Sequence, residues 1–300
     1  MPQPVGSTTY LKLIGAMFMW GGTWIAGRIV AQELTSPLAV PAIRFLLAGL
    51  VLAGFAMVIE GRIPRPHGSE WGVVSGLAMT GIFLYALCFF YGLKHISAGR
   101  GALVVALTPV VVALAAWFLG QERMTPVKLA GVAVAMLGCL TVIGNGNPLA
   151  LLHGAVGIGE WLILGCVLCW TAYTFIGRRA TKTLSPLAAT LWASLIGALL
   201  LGITALIQGG TDLAEWSPAV WASVVFLAIG GTALAFTWFA DGVKRLGAAR
   251  ASAFVNLVPV FAVLQAAVLL DERLGLSVLA GGLLVIAGVW MTANLSEKTA

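Results

Sequence analysis

Residues 107–123 read "LTPVVVALAAWFLGQER", and residues 257–273 read "LVPVFAVLQAAVLLDER". The second stretch repeats the first after a shift of 150 positions, with no insertion or deletion, and both carry the same Pro and the same Glu-Arg pair. The same shift pairs Trp20 with Trp170. Shared Leu and Ala are expected by chance in apolar sequence, whereas paired Trp, Pro, Glu and Arg are not. The chain therefore contains an internal duplication.

The composition indicates a membrane protein. Hydrophobic residues make up 60% of the 300 positions and charged residues only 9%, whereas a soluble domain has about 25% charged residues. Apolar runs of about 20 residues match the hydrocarbon thickness of a bilayer as α-helices. Ten such spans are predicted, at 12–32, 37–59, 71–94, 98–119, 125–143, 159–180, 186–207, 217–241, 249–270 and 275–294.

The duplication and the spans together predict an inverted architecture. We divide the chain into a first five-helix repeat, 1–150, and a second, 151–300. Because five is odd, the second repeat enters the membrane from the opposite face, so the two repeats are inverted relative to each other. Inverted repeats are typical of secondary transporters, in which two similar halves exchange their packing and so move the access from one face to the other. The predicted fold class is an all-α integral membrane protein with a central cavity.

The distribution of basic residues predicts the orientation. If the N-terminus is cytoplasmic, twelve Lys and Arg residues lie on the inner side, four lie on the outer side, and Arg44 lies inside a span. This asymmetry follows the positive-inside rule. It explains the net charge of +6 without a nucleic-acid partner. We expect a multi-pass protein of the bacterial inner membrane with both termini in the cytoplasm.

Several motifs resemble one transporter family. They are "MWGGTW" (19–24), "AIRFLLAGL" (42–50), and the pattern "P…ER…LAG……G" at 109–138 and 259–288. With these motifs the chain resembles the EamA-type two-repeat transporters of the drug/metabolite transporter superfamily, and most closely the bacterial aromatic amino-acid exporters. The resemblance implies a ten-helix bundle whose cavity is formed mainly by spans 1, 3, 4, 6, 8 and 9, with spans 5 and 10 at the periphery.

Aromatic, hydroxyl and glycine residues recur along single faces of the inner spans. In span 1 they fall at i, i+3, i+4 and i+7, which is one side of a helix. Such faces suit a substrate with an apolar body and polar ends, although aromatic side chains also occur at membrane interfaces and facing lipid. The predicted substrate-binding candidates are Trp20, Thr23, Trp24, Tyr85, Phe89, Thr108, Trp170, Tyr173, Trp238 and Asn256.

Two prolines and one arginine are further candidates. Pro109 and Pro259 lie in the middle of spans 4 and 9 and remove a helical hydrogen bond each, which predicts either a static kink or a hinge used in gating. Arg44 lies roughly 10 Å inside span 2 at a rise of about 1.5 Å per residue. A charge there is costly and indicates function by default. It either holds a substrate carboxylate, pairs with a helix C-terminus, or reaches back to the interface.

Two acidic-basic pairs and several glycines have structural interpretations. Glu122-Arg123 and Glu272-Arg273 precede spans 5 and 10, where a carboxylate is expected to cap the following helix, with a contribution to a gate as the alternative. The glycines of spans 5 and 10 are expected to allow close helix packing, or to form a dimer face.

A transporter explains these features better than an enzyme does. The sequence shows no nucleophile–base set, metal cluster or phosphate-binding loop, so we expect no catalytic residue, metal or cofactor. The expected partners are a small-molecule substrate and the lipid bilayer, with a monomer as the expected assembly. The predicted function is export of small amphipathic metabolites, foremost aromatic and other apolar amino acids. The alternatives are export of drugs or organic cations, a sugar or phosphosugar carrier, and a passive channel.

Overall fold

The structure, a computed structural model, describes residues 7–121, 124–144, 146–147, 156–180, 182–209, 213–246, 251 and 254–294. The elements in these ranges are helical, and ten helical segments confirm the predicted ten-span membrane fold. We number them α1 (Ser7–Glu33), α2 (Ala39–Ile59), α3 (Glu70–His95), α4 (Ala98–Phe118), α5 (Pro126–Ile143), α6 (Ile158–Ala180), α7 (Pro186–Ile207), α8 (218–246), α9 (Leu257–Leu269) and α10 (Leu276–Asn294).

Most boundaries lie within a residue or two of the prediction. Helix α1 begins five residues before the predicted start at 12, and α8 continues to Leu246 rather than ending at 241. Helix α9 begins at Leu257, after a 3₁₀ turn at Phe254–Asn256, whereas its predicted start was 249, so Pro259 lies in the first turn of α9. The first seven helices are each long and apolar enough to span a bilayer, while α8, α9 and α10 contain shorter apolar segments.

Three helices begin at a Ser or Thr that is followed directly by a proline. The side-chain oxygens of Thr125, Ser185 and Ser217 accept hydrogen bonds from the backbone N–H three residues later, at 3.2, 3.1 and 3.1 Å respectively. The proline then occupies the first helical position, where its missing N–H has no cost. These dipeptides fix the starts of α5, α7 and α8.

Helix α4 is interrupted at Ala106 and Leu107, directly before the predicted break at Pro109. Pro109 cannot donate to the carbonyl of Val105. The hydroxyl of Thr108 donates to that carbonyl instead, at 2.6 Å. A free carbonyl in hydrocarbon costs roughly several kcal/mol, so Thr108 compensates for the proline within the same helix.

Helices α3 and α8 each contain a π-helical segment in the middle, at Ala78–Leu84 and Phe226–Leu234. A π turn holds one more residue than an α turn and occurs frequently at functional sites. The two segments overlap when the chain is shifted by 150 positions, so both repeats carry the same irregularity.

Helices α5 and α10 pack with their backbones in contact. A Cβ atom added to Gly131 would lie 2.8 Å from the carbonyl oxygen of Gly288, and one added to Gly138 would lie 2.6 Å from that of Gly281. This confirms the predicted close approach. Because these glycines face each other within the chain, they are not available as the dimer face that was the alternative.

The ends of the bundle are packed differently. We call the end where α1 begins the Ser7 end and the end where α1 finishes the Glu33 end. At the Ser7 end, α1, α8 and α9 form a small cluster of their own around Ala16, Met17 and Ala235. The main hydrophobic cluster includes α1 only from Trp24 to Ala31, that is, from the membrane centre to the Glu33 end, and joins these residues to α3, α4 and α6. The three-helix group α1/α8/α9 thus meets α3/α4/α6 most closely at the Glu33 end.

Candidate functional site

Five aromatic side chains form a continuous row across α1, α3 and α6. The ring centroids of Trp24 and Phe89 lie 4.9 Å apart, and those of Phe89 and Tyr85 lie 6.1 Å apart with nearly parallel planes. Tyr85 is 5.9 Å from Trp170, which is 5.2 Å from Tyr173. The structure therefore brings five of the ten predicted binding residues together, and we call them the aromatic row.

Glycines on neighbouring helices make room for two of these rings. A Cβ atom on Gly81 would lie 2.2 Å from a ring carbon of Tyr173, and one on Gly27 would lie 2.4 Å from a ring carbon of Phe89. Both distances are far below a van der Waals contact, so any larger residue would displace the ring. Gly27 of α1 and Gly81 of α3 thus provide the space that the rings of Phe89 and Tyr173 occupy, and we call them the glycine seats of the aromatic row.

The aromatic row runs from the core to an accessible surface. The side chains of Trp24 and Phe89 are 4% and 6% exposed, whereas Trp170 is 39% exposed. Tyr85 and Tyr173 are half-buried between them. Trp170, Tyr85 and Tyr173 have surface to offer a ligand, and the two buried rings support them from behind.

Trp20 lies outside this row. Its indole N–H donates to the carbonyl oxygen of Gly231 at 3.1 Å, and its ring lies 5.2 Å from each of Phe236 and Phe239. Trp238 packs over Gly15, where a Cβ atom would meet its ring at 2.7 Å. Both tryptophans therefore contribute to packing between α1 and α8.

The remaining candidates do not belong to the aromatic row, and the two threonines donate their hydroxyl groups within their own helices. Thr23 donates to the carbonyl of Trp20 at 2.6 Å, and its methyl group faces Gly231. Thr108 is occupied by its own helix, as described above. Asn256 ends the short 3₁₀ turn before α9 and is half-buried. The two prolines differ, since Pro109 is exposed and Pro259 is buried.

Arg44 reaches the centre of the bundle. Its Nε donates to the hydroxyl of Thr232, in the π segment of α8, at 3.1 Å. One of its terminal nitrogens lies 4.0 Å from the position of a Cβ atom on Gly231, the residue whose carbonyl oxygen accepts from Trp20. The expectations that Arg44 returns to the interface or pairs with a helix C-terminus are therefore wrong, because its side chain runs across to α8.

The π segments were not predicted from the sequence, and they shape this region. Thr232 accepts from Arg44 and donates to the carbonyl of Leu227, five residues earlier, at 2.9 Å. An acceptor five residues earlier corresponds to the wider π turn. In α3 the π segment directly precedes Tyr85. The π segment of α8 thus places the Thr232 hydroxyl against Arg44, and the π segment of α3 leads directly into the aromatic row.

A polar network at the Glu33 end was anticipated only in part. The two carboxylate oxygens of Glu272 accept from the backbone N–H groups of Ala98 at 2.9 Å and Gly99 at 3.1 Å. Nε of Arg28 lies 3.9 Å from the same carboxylate, and Arg28 also donates to the carbonyl of Leu93. Glu272 therefore caps α4 rather than the following helix α10, which corrects the predicted partner. Glu122 and Arg123, the equivalents of Glu272 and Arg273 in the first repeat, lie outside the described residues.

A buried ion pair reinforces the same end. Arg100 of α4 and Glu160 of α6 lie 3.1 Å apart, and Arg100 also donates to the carbonyl of Ile143. Glu160 is only 5% exposed. Breaking one partner of a buried pair is strongly destabilising, so this contact holds α4 and α6 together at the Glu33 end. The sequence placed Arg28 and Arg100 on one side of the membrane but did not identify their partners.

The sequence pattern of the EamA-like transporter family matches this chain twice, over residues 7–144 and 157–294. The second match begins and ends 150 positions after the first, which agrees with the internal duplication. The two matches together cover nearly all of the described helices.

Curated relatives are similar over most of their length. The "Uncharacterized transporter YyaM" of Bacillus subtilis (strain 168) is 30% identical over 252 residues, covering 84% of this chain and 82% of the relative. An "Uncharacterized transporter" of Archaeoglobus fulgidus is 28% identical over 288 residues, covering 96% and 98%. The "Probable terminal-alkyne amino-acid exporter" of Streptantibioticus cattleyicolor is 30% identical over 279 residues, covering 88% and 91%.

A solved crystal structure supports the fold. It superposes with a TM-score of 0.63 at 21% sequence identity and covers 98% of this chain and 99% of the other. At that identity the likeness concerns the fold alone. The double family match, the relatives named as transporters and the ten apolar helices agree with one another. The chain therefore belongs to the EamA-like transporter family of the drug/metabolite transporter superfamily.

Proposed function

We propose that this membrane transporter exports small amphipathic metabolites, foremost aromatic and other apolar amino acids, by alternating access. The observation that carries the proposal is the aromatic row, which ends in an accessible Trp170, together with the cation of Arg44 beside Gly231. Rings of this kind provide a large apolar contact area, and a few polar groups fix the orientation of the ligand. The similarity to a relative named as a probable amino-acid exporter is in agreement.

Within this proposal the predicted candidates divide into two sets. Tyr85, Trp170 and Tyr173 contact the substrate, while Trp24 and Phe89 form the wall behind them. The second set positions the helices around the site and comprises Trp20, Thr23, Thr108, Trp238 and Asn256. Pro109 and Pro259 are the points at which α4 and α9 bend when access changes.

The different packing of the two ends supports alternating access. Glu272, Arg28 and Arg100 tie helices of both repeats together at the Glu33 end. At the Ser7 end, α1, α8 and α9 pack as a separate group. If the charge asymmetry sets the orientation, the Ser7 end is cytoplasmic. The structure then corresponds to the state in which an exporter takes up its substrate from the cytoplasm.

Counterflow in proteoliposomes tests this proposal. Vesicles loaded with unlabelled amino acid are expected to accumulate labelled tryptophan in a saturable manner, and threonine more weakly. Trp170→Ala is expected to reduce tryptophan counterflow at least tenfold. Trp161→Ala is the matched control, because Trp161 belongs to the same helix, is 62% exposed and lies near its end.

The outcomes separate the alternatives. Flux that does not saturate and shows no counterflow would indicate a channel. A folded, monodisperse protein that exchanges neither amino acid would contradict the amino-acid proposal. The same vesicles would then be tested with organic cations and sugar phosphates.

A further inference from the structure

Arg44 is an incompletely satisfied cation in the centre of the bundle. In the ranges that the structure describes, the hydroxyl of Thr232 is its only hydrogen-bond partner, and no carboxylate pairs with it. The face of Phe45, whose ring centroid lies 5.1 Å from the guanidinium carbon, adds a weak attraction. A charge at this depth is costly, and a neutral hydroxyl offsets only part of that cost.

The free part of the guanidinium has the geometry that a carboxylate needs. Nε is engaged by Thr232, so the two terminal nitrogens remain, and they present parallel N–H groups in a rigid plane. Paired bonds from such a fork to a carboxylate are among the strongest hydrogen bonds in proteins. One of these nitrogens lies 4.0 Å from the position that a Cβ atom on Gly231 would take, a position that the methyl group of Thr23 already approaches.

Gly231 connects this charge to the aromatic residues of α1. A terminal nitrogen of Arg44 and the methyl group of Thr23 both lie beside this glycine, and the indole N–H of Trp20 donates to its carbonyl oxygen. Trp24, next to Thr23 in sequence, is the first ring of the aromatic row, 4.9 Å from Phe89. A ligand whose carboxylate meets Arg44 therefore lies on the α1 side of the aromatic row, and the charge and the rings belong to one site.

The second repeat has no equivalent of this arrangement. A shift of 150 places Ala235 opposite Tyr85 and Ile82 opposite Thr232. The recurrence of "SPLA" at 36–39 and 185–188 places Ala193 opposite Arg44. The cation is thus single, and it suits a substrate with one carboxylate.

We infer that Arg44, held by Thr232 and lying beside Gly231, is the carboxylate-recognition site of the transporter. It restricts the substrates to apolar or aromatic carboxylates, amino acids among them, and excludes organic cations that lack a carboxylate. This inference rests on the proposed function and narrows it to a substrate class.

Three indoles that differ only in their polar ends test it. Tryptophan carries both ends, indole-3-propionate carries only the carboxylate, and tryptamine carries only the amine. Binding is measured as the ligand-induced rise of the unfolding temperature in detergent, and competition as inhibition of tryptophan counterflow. The concentrations needed for half-maximal stabilisation and half-maximal inhibition are expected to be at least tenfold lower for tryptophan and indole-3-propionate than for tryptamine.

Variants of Arg44 are expected to remove this preference. Arg44→Gln should weaken the binding of tryptophan and indole-3-propionate at least tenfold and leave the binding of tryptamine unchanged. The affinity of Arg44→Lys for the two carboxylates should lie between that of the native protein and that of Arg44→Gln, because lysine keeps the charge but lacks the two parallel N–H groups. Arg62→Gln is the control, since Arg62 is exposed in a loop. If Arg44→Gln does not fold, Thr232→Val tests the same site with the removal of a single hydroxyl.

The inference is overturned if tryptamine binds as tightly as tryptophan, or if the preference survives in Arg44→Gln. Its failure differs from that of the proposed function, in which none of the indoles would bind or be exchanged. In that case isovalerate and isoamylamine in the same unfolding assay decide the role of Arg44 alone. Stabilisation by the acid and not by the amine supports it, and equal effects reject it.

Discussion

Trp20 and Trp170 occupy equivalent positions in the two repeats, 150 residues apart, but their surroundings differ. Trp20 donates its indole N–H to Gly231 and packs between Phe236 and Phe239. Trp170 lies at the accessible end of the aromatic row and is 39% exposed. The repeat thus determines where a residue lies in its helix, and the neighbours from other helices determine what it does there.

The neighbours differ for two reasons. Position 85 is Tyr in α3, whereas its equivalent in α8 is Ala235, so Trp20 has no partner like Tyr85. In addition, the repeats are in different arrangements in this state, with α1, α8 and α9 gathered at the Ser7 end. The first difference is permanent, and the second would change during alternating access. The following predictions test this comparison, and the one on Glu272 separates the two causes.

The largest difference is expected in stability when each ring is removed. Trp20→Ala should lower the free energy of unfolding by about 3 kcal/mol, because it removes a packed ring and the donor to the Gly231 carbonyl. Trp170→Ala should lower it by about 1 kcal/mol, since its ring is more accessible. Thermal unfolding of both variants in one detergent measures this, and equal losses would contradict the comparison.

The glycine seats give the next largest effect. Gly81→Ala places a methyl group against Tyr173, and Gly15→Ala places one against Trp238. Each should destabilise the protein by about 2 kcal/mol through overpacking. Only Gly81→Ala should also raise the half-saturation concentration for tryptophan, by about fivefold, since only Tyr173 belongs to the aromatic row. Counterflow kinetics of the two variants decide this, and a matching rise in Gly15→Ala would place both glycines in the binding site.

Weakening the Glu33 end should reduce the difference between the two tryptophans. Glu272→Gln loses the charge that pairs with Arg28 and weakens the capping of α4, by about 1–2 kcal/mol. The expected result is a shift toward the opposite access state. In a background without native cysteines, Trp170→Cys should react faster than Trp20→Cys with a maleimide reagent. Adding Glu272→Gln should lower the ratio of the two reaction rates at least threefold. An unchanged ratio would show that Glu272 does not stabilise this state.

The smallest effect is expected when the rings are kept. Trp20→Phe removes the hydrogen bond to Gly231 and should cost about 1 kcal/mol of stability. Trp170→Phe should change stability by less than about half of that. Thermal unfolding is the measurement, and a larger loss in Trp170→Phe would show that its N–H has a structural partner.

The helical framework was predictable because its causes are local. Runs of apolar residues set the ten helices, and Thr125, Ser185 and Ser217 with their following prolines set three starts. Glycine spacing predicted that α5 and α10 pack closely, but it did not predict that each is the other's partner. The division of the chain at 150 and 151 stays a prediction, because the neighbouring residues 148–155 lie outside the described part.

The site was less predictable because its contacts are distant in sequence. Hydrophobic patterns do not show a π turn, so the placement of Thr232 beside Arg44 had no sequence signal beyond the residue types. The partner of Glu272 is a helix start 174 positions away, and an expectation based on its own helix was wrong for that reason. Helical periodicity grouped Trp20 with Trp24 on one face, but only the packing of α8 shows that Trp20 is engaged elsewhere.

The paired π segments also record the order of events in the history of this protein. Ala78–Leu84, moved by 150 positions, falls entirely within Phe226–Leu234. Two independent insertions at the same depth would be a coincidence, so the extra residue was present in the ancestral five-helix unit before its gene was duplicated. The two copies later diverged around that inherited turn. Arg44, Tyr85 and Thr232 lack counterparts in the other copy, so the two copies came to differ at these positions after the duplication.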